Sequence, residues 1–168
     1  LPEWPFRESA PAVSADVPMI IGTTQNEFVT GINNPDAMSM TDADLHERVE
    51  GAYPRRTEAI IAAFREMAPQ AKPFELWSRI ATGPIRAAAI RQAKVKADLK
   101  QAPAYLYEFT WQTPILDGRP MAFHCADIPF AFFNTDRCDA MSGGGAGARA
   151  LSACISDAFV NFARTGNP

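Results

Sequence analysis

Two short stretches constrain this chain more than anything else in its 168 residues: "VPMIIGTT" at 17–24 and "AYLYEFTW" at 104–111. The first is an apolar run too short for a typical helix, with Pro18 near its start and Gly22 near its end. It reads as a buried strand of the parallel-sheet type. The second spaces Tyr105, Tyr107, Phe109 and Trp111 at period two, a strand signal. What lies between them is helical in pattern, so the two strands are joined by a long crossover and read as neighbours in a parallel sheet. Two strands alone cannot cover the faces and edges of such a sheet. The fold class is therefore α/β, with the sheet incomplete in these residues.

The helical signals are specific. Thr41 with Asp44 three residues on forms a capping-box pattern ahead of "DLHERVEGAY". In "TEAIIAAFREMA", Ile60, Ile61, Phe64 and Met67 fall on one face. "ELWSRIA" and "IRAAAIRQAKVKADLKQ" read as two helices interrupted by Gly83 and Pro84. Near the end, Leu151, Cys154, Ile155, Ala158, Phe159 and Phe162 make one stripe, stopped by Gly166 and Pro168. Residues 1–16 read as an extended lead-in, and "MSGGGAGA" (141–148) as a flexible connection. There is no internal repeat.

Composition excludes several function classes. Hydrophobic residues at 47% and charged residues at 21% describe a globular chain, long enough to bury roughly 70% of its unfolded surface. The net charge of -3 comes from interspersed signs with no basic block, which argues against nucleic acid as a partner. No apolar run approaches the ~20 residues of a membrane span. The three cysteines, Cys125, Cys138 and Cys154, lack metal-site spacing and argue against a disulfide-dense scaffold, while leaving room for one bridge. Abundant alanine and an excess of arginine over lysine, twelve to four, point to a GC-rich bacterial genome.

In open α/β sheets, sites form in the loops beyond the carboxyl ends of strands. Glu27 stands just past the first strand, and the loop after the second leads to "MAFHCADIPF", which holds His124. Taken alone, Glu27 is an ordinary solvated loop residue, and His124 fits a catalytic base, a metal ligand or a packing histidine. A metal site made of His124, Cys125 and Asp127 is disfavoured, because adjacent side chains diverge on an extended backbone and zinc motifs space their ligands. His46, among charged residues in "DLHERVE", reads as surface. Phe123, Phe130, Phe132 and Phe133 read as core or pocket wall. A carboxylate and a histidine in this order match the Ser, Asp/Glu, His sequence of α/β-hydrolases, with the serine upstream.

Four segments in this order carry a family resemblance: "DVPMIIGTTQNEF", "YLYEFTW", "MAFHCADIPFAFFN" and "DAFVNFARTGNP". Together they resemble the C-terminal part of the type B carboxylesterases, the family of para-nitrobenzyl esterases, fungal lipases and cholinesterases. The resemblance covers nearly the whole chain. It implies a C-terminal portion, 1–168, of a single α/β-hydrolase catalytic domain, with Glu27 as the triad acid and His124 as the base. Cys125 becomes a small neighbour of the triad, and Asp127 a hydrogen-bonding residue behind it. The implied reaction is acyl transfer on a small-molecule ester, with no cofactor and no metal. Neither the Gly-x-Ser-x-Gly elbow of the nucleophile nor the Gly-Gly oxyanion loop is present in these residues. "SGGGAG" follows the histidine and is neither. The chain alone is therefore expected to be inactive.

Other departures from the family pattern are Asn26 for Asp, Phe28 for Gly, Met121 where Gly-Ala is common, and Gly83 where an Asp often stands, which implies a lost polar contact. Two rival readings remain. One is a catalytically inactive, cholinesterase-like adhesion domain, against which the retention of both Glu27 and His124 argues. The other is a stand-alone helical binding module. The first strand's free edge is expected to be covered by the missing N-terminal part, a complementary chain or another copy.

Overall fold

A computed structural model describes residue 6 and residues 8–168. Much of the start of the lead-in thus lies outside the described residues, and Ala12–Ser14 within it forms a 3-10 turn instead of extended chain. The chain divides into two compact units. One contains Pro84–Phe109, Ala126–Pro168 and the chain up to Thr23; the other contains Thr24–Gly83 and Thr110–Cys125.

Strand β1 (Met19–Thr24) and strand β2 (Ala104–Phe109) lie side by side as a two-stranded parallel sheet. Both form where the sequence places them, although Trp111 falls beyond β2. β1 is less buried than expected: Met19 to Gly22 are half-buried, and only Thr23 and Thr24 are buried. Full burial of a parallel strand needs neighbours on both sides, and β2 is the one partner strand among the described residues. On β2 the alternation works as read. Tyr105, Tyr107 and Phe109 share a face and meet Phe162, Phe159 and Phe130 edge-on, with centroids 6.1, 5.9 and 5.0 Å apart. The other face shows Leu106 to solvent and pairs Glu108 with Arg86.

The helices are α1 (Asp42–Ala52), α2 (Thr57–Met67), α3 (Pro73–Ala97), α4 (Ile128–Ala131), α5 (Asp139–Ser142) and α6 (Gly145–Thr165). The capping box at Thr41 and Asp44 is formed. Leu45 and Val49 of α1 bury against Leu76 and Ile80 of α3, and Ile60, Ile61 and Phe64 of α2 pack on this cluster. Met67 does not join them; at the last residue of α2 it is 79% exposed.

Three expectations are corrected. First, Gly83 and Pro84 do not interrupt α3, which continues through them as one helix. Proline costs Ile80 its carbonyl's helical partner, but Gly83 has no Cβ to clash with the proline ring. Buried residues on either side, Ile80 and Ala89, hold the helix. Secondly, most of the glycine-rich connection is structured: α5 ends at Gly143 (φ 78°) and α6 begins at Gly145, before the expected stripe. The buried side of α6 therefore starts with Ala148 and Ser152, the latter donating to the Phe130 carbonyl at 3.1 Å, and Cys154 is exposed. Thirdly, Phe132 and Phe133 are exposed, and the Phe133 ring carries the Arg149 guanidinium at 3.6 Å, while Phe130 is wholly buried. Gly166, at φ 77°, ends α6 as read.

Candidate active site

Glu27 follows β1 in a loop that is fastened on several sides. Its N–H donates to Thr82 Oγ1 at 3.0 Å, and the Thr82 hydroxyl in turn donates to the Ser78 carbonyl at 2.9 Å. Asn26 sits one residue earlier, 1% exposed, and its side-chain amide donates to Ser78 Oγ at 3.1 Å. Ser78 and Thr82 lie four residues apart on α3, so both hydroxyls face the same loop. Sequence reasoning did not single them out. The available signal was two small hydroxyl residues four apart in one helical stretch.

The base loop is paired to the acid loop by backbone. Asn26 and Phe123 form a parallel bridge, and the His124 N–H donates to the Glu27 carbonyl at 2.8 Å. Met121 and Ala122 ahead of it are buried. Met121 has φ 59°, a left-handed conformation that glycine adopts without strain. Its burial with Ala37 and Phe74 offsets that strain and accounts for a methionine in this place.

The geometry brings the two candidate residues together. His124 Nδ1 lies 2.7 Å from Glu27 Oε2, while Glu27 Oε1 accepts the Thr24 N–H at 2.9 Å. The Glu27 side chain is 9% exposed and that of His124 is 51% exposed. A carboxylate only accepts hydrogen bonds, so in this pairing Nδ1 carries the proton and Nε2 is the basic atom. The Phe28 ring lies against the imidazole, centroids 4.3 Å apart.

The other named residues have separate places. Asp127 Oδ2 accepts the Tyr107 hydroxyl at 2.8 Å, a bond to β2. Cys125 is half-buried at φ 67°, and Cys125, Cys138 and Cys154 are all free thiols. His46 Nε2 pairs with Glu58 at 2.7 Å on the surface. Beside Gly83 there is open space where a Cβ would stand, and one turn earlier Arg79 Nε is buried without a hydrogen-bond partner among the described residues. Among the described residues no three or more His, Cys, Asp or Glu side chains are grouped to hold a metal ion, and no helix is long and apolar enough to cross a membrane.

Comparison with known proteins begins with the fold. A solved structure of PNB esterase matches with a TM-score of 0.51 at 22% identity, covering 90% of this chain and 30% of that one. The architecture is thus a partial α/β fold of the α/β-hydrolase kind. In sequence the chain is 29% identical over 181 residues to the para-nitrobenzyl esterase of Bacillus subtilis (strain 168), across 100% of this chain and 33% of that relative. It is similar to the C-terminal segment of a para-nitrobenzyl esterase-like carboxylesterase and spans about a third of the length of that curated relative. No family model matches the chain.

Proposed function

We propose that these residues are the C-terminal portion of a single catalytic domain of a serine carboxylesterase, and that they supply its acid, Glu27, and its base, His124. The observation that carries this reading is the Glu27–His124 pair, held at 2.7 Å with the second carboxylate oxygen anchored on the Thr24 N–H. The half-open imidazole leaves Nε2 available to a nucleophile from an upstream segment, which also supplies the oxyanion donors and a strand for the free edge of β1.

In the reaction, Nε2 takes the proton of the serine hydroxyl as its oxygen attacks the ester carbonyl. The tetrahedral intermediate collapses to the acyl-enzyme, and the alkoxide leaves with that proton. Water then repeats the cycle and releases the acid. Glu27 keeps the proton on Nδ1 and stabilises the imidazolium that forms each time.

The test is to express the chain with the upstream part of its reading frame and assay a para-nitrophenyl ester. Turnover is expected, with a fall of about 100- to 10,000-fold in His124→Ala. Glu27→Gln is expected to fall by up to about 10,000-fold, since the amide favours the wrong tautomer. The 168-residue chain alone is expected to give none. Turnover that survives His124→Ala, or a glycine in place of the elbow serine upstream, would overturn the proposal.

A further inference from the structure

Glu27 and Phe28 are consecutive residues, and both reach the same imidazole. Glu27 holds one edge through Nδ1, while Phe28 lies against the ring with centroids 4.3 Å apart and planes inclined by 39°. The backbone explains how neighbours manage this: the Glu27 carbonyl accepts the His124 N–H at 2.8 Å, which draws the two loops side by side. Phe28 is 68% exposed and belongs to neither buried cluster of its unit. Core packing therefore does not account for a phenyl group here, since so little of its apolar surface leaves water. The imidazole contact does.

A hydrogen bond at Nδ1 fixes one atom of the ring, and the plane can still rock about it. With the His124 side chain 51% exposed, little else restrains that motion. A face contact removes it. We propose that Phe28 is a positioning residue for His124: its ring braces one imidazole face, keeps Nε2 aimed, and screens the Nδ1–H···Oε2 bond from water. The role rests on His124 being the base, but the contact itself can be measured without that reading.

The experiment uses histidine-labelled chain and NMR. His124 and His46 are the two histidines, so His46→Gln assigns the spectrum. In the wild type the His124 ring protons are expected to be shifted upfield by the phenyl ring current, and its Nδ1–H to exchange slowly enough to be seen. Phe28→Leu should abolish both signatures, and Phe28→Tyr should restore both. Urea unfolding of the Leu variant should match the wild type, which separates loss of the brace from loss of the fold. A Leu variant with wild-type His124 signals, or a Tyr variant that restores neither, overturns the proposal. In the chain completed with its upstream segment, Phe28→Leu should lower kcat about tenfold with KM unchanged, and an unchanged kcat overturns the catalytic role. If no variant or parent turns over ester, the esterase reading fails while the NMR result still decides the contact.

Discussion

Asn26 and Ala122 are hydrogen-bonded to each other twice. The Asn26 backbone N–H donates to the Ala122 carbonyl at 3.0 Å, and the Ala122 N–H donates back to Asn26 Oδ1 at 3.3 Å. Asn26 precedes the acid by one residue and Ala122 precedes the base by two, so this clasp sets the register in which Glu27 meets His124. The same side chain also reaches Ser78 on α3, so one asparagine ties both loops to the helix.

Truncating Asn26 should therefore loosen the pair without touching it. Asn26→Ala leaves the buried Ala122 N–H without its acceptor and is expected to cost about 2 kcal/mol. Asn26→Asp should cost more, because it keeps the acceptor for the Ala122 N–H but buries a charge, and the Ser78 hydroxyl already donates to the Val29 carbonyl. Urea unfolding of the three proteins checks the order. An Ala variant as stable as the wild type would show that the clasp does not fasten the loops.

Gly22 lies inside β1, near its end, and meets β2. A Cβ added there would stand 2.1 to 2.3 Å from the ring carbons of Tyr107. That ring is also held by Phe159, at 5.9 Å between centroids, and by its hydroxyl on Asp127, at 2.8 Å. Gly22→Ala is thus expected to destabilise by about 1–3 kcal/mol through overpacking. Gly22→Ala combined with Tyr107→Leu should recover part of the loss, since the leucine gives up the ring. Thermal unfolding of single and double variants checks it; additive losses would place the strain elsewhere.

Elements fixed by local chemistry were legible in the sequence, and contacts made at long range were not. Thr41 and Asp44 announce α1 because a capping box is made within four residues. β2 shows because alternate aromatics need only a covered face. Pro84 misled because its cost to a helix is local, while Ile80 and Ala89, which hold α3 together around it, act through packing. Of the candidate site, the acid and base were legible as loop residues after strands. Ser78 and Thr82, which position Glu27, were not, because a threonine in a helix looks alike whether its hydroxyl serves its own turn or a loop 55 residues away in sequence. Phe28 appeared only as a departure from a family pattern; its contact with His124 comes from the pairing of two distant loops.

The capping box gives α1 a sensitivity to acid. The Asp44 carboxyl is held below its ordinary value, first by the Thr41 hydroxyl and then by the Thr41 backbone N–H, at 2.7 and 2.8 Å. A value lowered by folding means that the cap contributes fully above the unfolded carboxyl range, at about pH 4, and is lost as pH falls through the lowered value. Carbon-detected NMR titration of Asp44 should show this directly. Thr41→Ala removes the hydroxyl and keeps the backbone N–H, so it should raise Asp44 part of the way back towards the ordinary carboxyl range and fray the first turn at neutral pH. An Asp44 titration unchanged by Thr41→Ala would refute the assignment.

Lys96 presents the opposite case, a charge carried inward. It is 2% exposed, and its ammonium donates to the carbonyls of Ser14 and Ala15 at 2.6 and 2.8 Å. Those carbonyls stand at the end of the 3-10 turn at Ala12–Ser14, so the lysine fastens the lead-in to α3. Hydrogen bonds from a charged donor contribute more than neutral ones, and Lys96→Met removes two while filling much the same volume. A loss of about 3 kcal/mol is expected, concentrated in the anchored segment. Limited proteolysis should then cut near residues 12–17 faster in the variant than in the wild type, ahead of cuts elsewhere. Unchanged cleavage there, with stability lost overall, would mean that Lys96 supports the helix and not the lead-in.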